Sequence, residues 1–286
     1  MDRSVGLRGA VLLGLGSILG TGVFVSLGLA VGVSGTWAVP ALCLAALLAG
    51  LNALSSAQLA ANHPVSGGTY AYGYRYLSPE FGFGAGLAFL LAKSASAAAA
   101  AIGLAGYLLA GLGIGPALTS LVASITVLAM TALVVLGLRR ANPVNAVLVS
   151  VTLGVLTLLA IMALAAPAGP QDPAPAALFA PAGFLEAAAL LFVAFTGYGR
   201  IATLGEEVRA PRRTIPRAII LTLIISTCLY LAILLGGLHV LGPAQFAGAT
   251  ASTAAPLQAV AGRLDANLPE PASRWPPPFA WGRSSP

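Results

Sequence analysis

Three long stretches of this chain contain no Asp, Glu, Lys or Arg: Gly9 to Tyr74, Ser94 to Leu138 and Ala218 to Gly262. A helix needs only about 20 apolar residues to cross a bilayer, so each stretch has room for at least one crossing. Soluble domains are about 25% charged, whereas this chain is 8% charged and 58% hydrophobic. The sequence therefore predicts an all-α integral membrane protein.

Gly, Pro and polar residues divide the apolar sequence into seven predicted transmembrane helices, spans 1 to 7. Their approximate bounds are Val11 to Val33, Trp37 to Ala60, Phe83 to Leu109, Ala117 to Leu138, Val144 to Ala166, Phe184 to Leu204 and Ile215 to Leu241. A cleaved signal peptide is the alternative for span 1, but its apolar run is too long and too rich in glycine. From Gly242 to Pro286 no eighth span is predicted, and the Pro-rich end favours an irregular tail.

The basic residues predict how these spans are oriented. If the N-terminus is cytoplasmic, ten arginines lie on the cytoplasmic side: Arg3, Arg8, Arg75, Arg139, Arg140, Arg200, Arg209, Arg212, Arg213 and Arg217. The outer connections before the tail contain no Lys or Arg, and cytoplasmic loops are the ones enriched in basic residues. The sequence thus predicts a multi-pass cell-membrane protein with its N-terminus inside. Since the net charge of +6 is spread over short connections, no nucleic-acid binding face is predicted.

Four glycines interrupt the middle of span 1: Gly14, Gly16, Gly20 and Gly22. A dinucleotide-binding loop is one interpretation, but the spacing is GxGxxxG rather than GxGxxG and no strand precedes it. Close helix packing through GxxxG pairs is a second interpretation. The third is a discontinuous helix that unwinds at Gly20-Thr21-Gly22, which a membrane tolerates only where the freed backbone groups line a cavity or bind a ligand.

Span 6 has a similar interruption, with Thr196, Gly197 and Gly199 near its middle. A pair of glycine-interrupted spans at corresponding positions of two repeats is a sequence sign of a transporter's substrate site. The interval between spans 1 and 6 fits an inverted repeat of five spans each. The half-helix after the first break would attract a carboxylate, and carbonyls freed near Phe195 would accept from an ammonium group. One zwitterion satisfies both breaks.

Three segments together carry a family resemblance: Gly16 to Phe24 (GSILGTGVF), Pro64 to Tyr70 (PVSGGTY), and Phe195 to Tyr198 (FTGY) followed by Glu206 to Ala218 (EEVRAPRRTIPRA). They resemble the amino acid permeases of the amino acid, polyamine and organocation (APC) superfamily, and the resemblance extends from about Val5 to Asn267. It implies a leucine-transporter-like inverted-repeat fold and amino acid transport coupled to protons or sodium. No cofactor, metal or enzymatic activity is expected.

The resemblance also implies which residues bind the substrate. The carboxylate would meet the amides at Gly20 to Gly22, and the amino group would meet carbonyls near Ile18 and at Val193 to Phe195. The predicted binding residues are Ile18, Leu19, Gly20, Thr21, Gly22, Val193, Ala194, Phe195 and Gly197. Neither the particular amino acid nor the coupling ion follows from the sequence.

The length departs from the family pattern of two five-span repeats. We expect residues 1–166 to form the first repeat, 167–241 the opening two spans of the second, and 242–286 an irregular tail that is foreign to the family beyond about residue 272. A truncation or frameshift near Ala272 would explain this, because a shifted frame in the GC-rich DNA that so many arginines suggest often stays open. Alternating access needs both repeats, so we expect this chain alone to transport poorly.

Lys93, the single lysine, lies within span 3, where an ionisable group costs about 2.5–3.5 kcal/mol on insertion scales. It is either a coupling or gating cation that faces the substrate cavity, or a lysine bonded to helix carbonyls for packing. Glu206 and Glu207 are paired carboxylates among arginines at the end of span 6. They form either a salt-linked structural loop or a cytoplasmic gate.

Two other functions are compatible with parts of the sequence. Gly32-Val-Ser-Gly35 resembles the nucleophile motif of an intramembrane serine hydrolase, with His239 as its base. Ser34 is predicted in an outer turn rather than within the membrane, which argues against that function. A membrane-bound amino acid sensor is the other alternative, since binding needs only spans 1 and 6 and their neighbours.

Overall fold

The computed structural model of this chain describes residues 5–63, 65, 67–135, 141–169, 180–253 and 256–267. This part of the chain is helical apart from turns and one isolated β-bridge between Val5 and Val208. Its α-helices are α1 (Leu7–Ile18), α2 (Leu27–Ser34), α3 (Ala38–Asn62), α4 (Gly68–Tyr76), α5 (Pro79–Gly111), α6 (Thr119–Val135), α7 (Ala141–Ala165), α8 (Pro181–Phe195), α9 (Gly199–Ala202), α10 (Pro211–Thr253) and α11 (Pro256–Asn267).

Among the described residues, five helical stretches are long and apolar enough to cross a membrane: Leu7–Asn62, Pro79–Gly111, Asn145–Ala165, Pro181–Ala202 and Pro211–Ala249. The first stretch contains both span 1 and span 2. The chain reverses direction between these two spans at Gly35, where φ is 57°. A shorter apolar helix, Pro116–Ala132, coincides with span 4, whose predicted end lies outside the described residues. Each predicted span therefore has a helical counterpart, which confirms the all-α membrane architecture.

One end of the helix bundle brings together the chain's start and two later connections. Val5 N–H donates to the Glu207 carbonyl at 3.1 Å, and Arg209 N–H donates to the Val5 carbonyl at 2.9 Å. A Cβ on Gly68, which begins α4, would lie 3.0 Å from Thr203 Cγ2. We call this end the N-terminal face.

The other end, the opposite face, brings together the end of α2, the start of α8 and the segment that follows α7. Val33, just before the first turn, packs its carbonyl against Gly183 at the start of α8. Gly169 N–H donates to the His239 carbonyl at 3.1 Å, and the His239 ring lies 2.9 Å from the Ala166 carbonyl. The contacts described at the two faces therefore fit spans that cross the bundle in alternating directions.

The core forms where α10 and α3 pack against the two interrupted spans. Five of the buried residues on α3 recur every four positions: Ala41, Ala45, Ala49, Ala53 and Ala57. This spacing places the alanines on one helix face, and small residues let helix backbones approach closely in a membrane. The largest buried side chains include Phe195 and Tyr230, so the interior of the bundle lies at the interrupted spans.

The prediction of an irregular tail from Gly242 is wrong as far as Asn267. Gly242 (φ 73°, ψ 166°) is non-helical and interrupts α10, and a second helical segment runs from Pro243 to Thr253. Proline suits the first turn of a helix, which explains the restart. The next helix, α11, buries one side against the bundle, with Leu257, Val260 and Leu264 at helical spacing. At 12 residues, α11 is too short to cross a membrane, so hydropathy along the sequence does not indicate it. The predicted junction at Ala272 lies outside the described residues.

Candidate functional site

The first interruption lies between α1 and α2. Helix α1 ends at Ile18, and Leu19 has a non-helical ψ of 69°. Helical geometry resumes at Thr21 and passes through a π-helical turn, Gly22–Ser26, into α2. The predicted discontinuity in span 1 is confirmed, but the unwound residues are Leu19 and Gly20 rather than Gly20 to Gly22.

Backbone bonding at this break leaves a helix start inside the bundle. Gly20 N–H turns back to the Ile18 carbonyl at 2.8 Å, and Phe24 N–H makes a 3.4 Å bond to the Gly20 carbonyl. The N–H groups of a helix that precede its first backbone hydrogen bond have no carbonyl partner within that helix. The N-terminal end of a helix is also electropositive. A Cβ on Gly20 would meet no atom within 4 Å, so the backbone is open to an approaching group.

The second interruption is milder than predicted. Helix α8 ends at Phe195 and continues as a 3₁₀ turn, Thr196–Tyr198, into α9. The Thr196 hydroxyl donates to the Val193 carbonyl at 2.8 Å, so that carbonyl is already bonded locally. Val193 is 62% exposed, whereas Ala194 and Phe195 are buried. Span 6 therefore changes helix type at this point and does not unwind.

The two interruptions are in direct contact. A Cβ on Gly197 would overlap the Ser17 carbonyl and lie 2.7 Å from Ile18 Cγ1. A Cβ on Gly22 would lie 2.8 Å from the Ala194 Cβ and overlap the hydroxyl of Tyr230. Glycine at both positions lets the broken segments touch, so the structure brings together the residues that the sequence placed at one site.

Tyr230 on α10 links both breaks and was missed by the sequence analysis. Its hydroxyl donates to the Ile18 carbonyl at 2.8 Å, and its ring centroid lies 5.3 Å from that of Phe195. The side chain is fully buried. A tyrosine in the middle of an apolar span needs a partner for its hydroxyl, and this requirement was the available signal.

Tyr107 on α5 links the first interruption to other helices, at a position nearer the opposite face than Tyr230. Its hydroxyl donates to the Phe24 carbonyl at 2.7 Å and accepts from Leu257 N–H at 3.3 Å. The rings of Tyr107 and Phe24 pack edge to face, with centroids 5.6 Å apart. One side chain thus joins the π-helical turn to α5 and α11.

A cavity of about 310 Å³ lies between α3, α4, α5 and the second break. Its polar lining includes Asn52, Ser56, Thr69, Tyr70, Tyr72, Lys93, Ser96, Thr196, Tyr198 and Thr203. Of the predicted site residues, Lys93 and Val193 line this cavity, and the predicted residues of span 1 do not. The structure therefore separates a contact region, where the breaks meet, from an adjoining polar cavity.

Two tyrosines shape the wall of the cavity. Tyr198, in the 3₁₀ turn, hydrogen-bonds Ser56 and Asn52 on α3, which ties the second break to span 2. Tyr72 on α4 is buried, and its hydroxyl has no hydrogen-bond partner among the described residues. Burial raises the pKa of Tyr72 above its usual value, and the nearby Tyr76 adds to the shift. The Tyr72 hydroxyl is therefore neutral at physiological pH.

The remaining predicted residues lie near the ends of the bundle. Glu207 is exposed, and its carbonyl bonds to Val5, so the loop after α9 is held by backbone pairing. The Ser34 hydroxyl donates to the Ala30 carbonyl at 2.7 Å, while His239 bonds to the Ala166 carbonyl. Within the described ranges, no group of three His, Cys, Asp or Glu side chains is placed to hold a metal ion.

Comparison with known proteins gives a consistent set of matches. A family model described as amino acid permease matches residues 9–267. An uncharacterized transporter of Mycobacterium tuberculosis is 43% identical over 254 residues, which are 88% of this chain and 56% of the relative. The branched-chain amino acid permease BcaP of Bacillus subtilis is 33% identical over 87% of this chain and 57% of its own length. The methylthioribose transporter of the same organism is 32% identical over 82% and 54%.

The chain spans about half the length of the curated relatives it matches. The names of these relatives are those of transporters and permeases, not of enzymes, so the serine hydrolase alternative is wrong. The match to residues 9–267 includes both helix breaks and α11.

Proposed function

Because this chain belongs to the amino acid permease family, we propose that the whole protein is a secondary transporter that carries amino acids across the cell membrane. The relative named as a branched-chain amino acid permease supports an amino acid as the substrate. The arginine distribution supports a cytoplasmic N-terminus, which makes the N-terminal face the cytoplasmic one.

The observation that carries this proposal is the open space at Gly20. Gly22 and Gly197 are explained by packing, since a Cβ at either would overlap a neighbour. Gly20 has no neighbour within 4 Å of a Cβ position, so packing does not require glycine there. A glycine that leaves its backbone accessible at an electropositive helix start suits close approach of an anionic group. Because Gly20 N–H already donates to the Ile18 carbonyl, we place the substrate carboxylate beside Gly20, at the amides of Thr21 and Gly22.

The carbonyls that we propose as acceptors for the substrate amino group are fewer than those that the family resemblance implies. The Ile18 carbonyl already accepts from Tyr230 and from Gly20 N–H, which uses both of its lone pairs. The Val193 carbonyl is bonded to Thr196. We propose the carbonyls of Ala194 and Phe195 as the acceptors, because side-chain contacts hold both residues at the first interruption. The Ala194 Cβ lies beside Gly22, and the Phe195 ring packs against the Tyr230 ring.

The whole protein would use these groups in an inverted-repeat mechanism. Residues 1–166 would form the first five-span repeat and 167–241 the start of the second, the first opened by an unwound helix and the second by a helix with a 3₁₀ turn. Coupling to protons or sodium is part of the proposal, with Lys93 as the candidate coupling or gating residue. For Glu206 and Glu207 we favour a structural role, because the loop is paired to Val5 through its backbone.

Binding of labelled leucine to the purified protein in lipid nanodiscs tests this function. We expect saturable binding by the wild type and at least about a tenfold loss in Gly20→Ala, equal to about 1.4 kcal/mol, because the methyl group occupies the space that the carboxylate needs. Gly154→Ala is the matched control: it lies within helix α7, and a Cβ there also meets no atom. The control should bind as the wild type does.

Two outcomes would contradict the proposal. Wild-type protein that binds no amino acid saturably would refute the function, and unchanged binding by Gly20→Ala would refute the site. Counterflow in liposomes made with the full-length protein then separates a transporter from a sensor, since a sensor binds amino acid without exchanging it across the membrane.

A further inference from the structure

We infer that Lys93 is a charge filter that excludes cationic amino acids, so that the substrates have neutral or anionic side chains. This inference rests on the proposed function and deepens it by naming the substrate class.

Lys93 lies in the interior of α5, a helix long and apolar enough to cross a membrane, and not at either of its ends. It lies roughly 20 Å along α5 from Pro79, at about 1.5 Å per residue, and the helix continues to Gly111. Its side chain is partly buried and lines the cavity beside the second break. A positive charge at this depth acts through a medium that screens it poorly.

The surroundings of Lys93 do not cancel its charge. The cavity lining among the described residues contains hydroxyl and amide groups but no carboxylate. Lys93 Nζ lies 5.7 Å from the centroid of the Phe89 ring, a contact that offsets only part of a full charge. Arg200 on α9 is close enough to interact with Lys93 electrostatically, and it has the same sign. The cavity is therefore electropositive.

The cavity adjoins the proposed substrate position. Thr196 and Tyr198 at the second break line one part of it, and Gly68 and Thr203 of the N-terminal face line another. A solute that moves between the breaks and the N-terminal face would pass Lys93. A zwitterion has no net charge, whereas a second ammonium or guanidinium group would be repelled in this poorly screened space. Exclusion of cationic side chains follows.

Competition against labelled leucine, with the nanodisc-bound protein, tests the filter. Two pairs of competitors match in shape and differ in charge: arginine with citrulline, and ornithine with norleucine. For the wild type we expect the neutral member to compete at least about tenfold better, a difference of about 1.4 kcal/mol. Lys93→Gln should bring this ratio close to one, and Lys93→Arg should preserve it. Lys93→Met, a second neutral variant, should behave as Lys93→Gln does.

The outcomes separate the inference from the function on which it rests. If no amino acid competes with leucine or binds saturably, the proposed function fails. If neutral amino acids compete but the ratio is the same in Lys93→Gln and the wild type for both pairs, only the charge filter is overturned. A wild type that prefers arginine or ornithine would also overturn it.

Discussion

Replacing Gly197 by Ala tests whether the two helix breaks are in direct contact. The added methyl group would overlap the Ser17 carbonyl and approach Ile18 Cγ1 to 2.7 Å. Because the overlapped group belongs to the backbone, no side-chain rotation can relieve the contact. The end of α1 and the 3₁₀ turn must move apart.

The size of the effect follows from comparison with Gly199, two residues further along the chain. Gly199 is helical (φ −54°, ψ −27°), and a Cβ there meets no atom within 4 Å. Alanine is favoured over glycine in helices by about 1 kcal/mol, which applies to both positions to a similar extent. Overpacking costs typically about 1–3 kcal/mol and applies only to Gly197. Gly197→Ala should therefore be about 1–3 kcal/mol less stable than Gly199→Ala.

Unfolding in mixed micelles with increasing dodecyl sulfate, followed by far-ultraviolet circular dichroism, measures this difference. Gly199→Ala should unfold at the same or a higher dodecyl sulfate fraction than the wild type, and Gly197→Ala at a lower one. Equal stability of the two variants, or a more stable Gly197→Ala, would show that the breaks are not packed together and would remove the geometric basis for the proposed site.

Two further predictions address the link at Tyr230 and the orientation of the chain. Tyr230→Phe keeps the ring but loses the bond to the Ile18 carbonyl, so we expect a loss of about 0.5–1.5 kcal/mol in the same unfolding assay. Exposed Tyr74 serves as control, and an equal loss in Tyr74→Phe would contradict the assignment. In a variant without native cysteines, an impermeant maleimide should label Ala168→Cys in intact cells but Arg212→Cys only after permeabilisation; the reverse pattern would invert the topology.

Local features of the sequence predicted most of the membrane architecture. Charge-free stretches and their Gly and Pro boundaries predicted seven spans, because crossing a bilayer depends on the hydropathy of consecutive residues. The glycine-rich middle of span 1 predicted its break to within about one turn. Helix α11 was missed because it is short and amphipathic, and its apolar side is evident only at the spacing of Leu257, Val260 and Leu264.

The candidate site depended on contacts that the sequence does not contain. Tyr230 bonds to Ile18 across 212 positions, and Tyr198 meets Asn52 and Ser56 on another span. The sequence identified Lys93 as unusual but did not show its electropositive cavity. That the residues at the breaks hold a substrate stays a prediction.

The sequence by itself determined that this chain is a helical membrane protein, the approximate bounds of its apolar helices, and the two places where a span departs from regular α-helix. Hydropathy, charge and glycine content act locally along the chain, so neighbouring residues suffice to read them. Only the tertiary structure decided that the interruptions touch, that Gly20 is open while Gly22 and Gly197 are packed, and that Lys93 adjoins the second break. The physical reason is that lipid tails are as apolar as the helices themselves. The pattern of apolar residues therefore does not decide which spans contact each other. Close packing of small residues and hydrogen bonds of buried hydroxyl groups decide it.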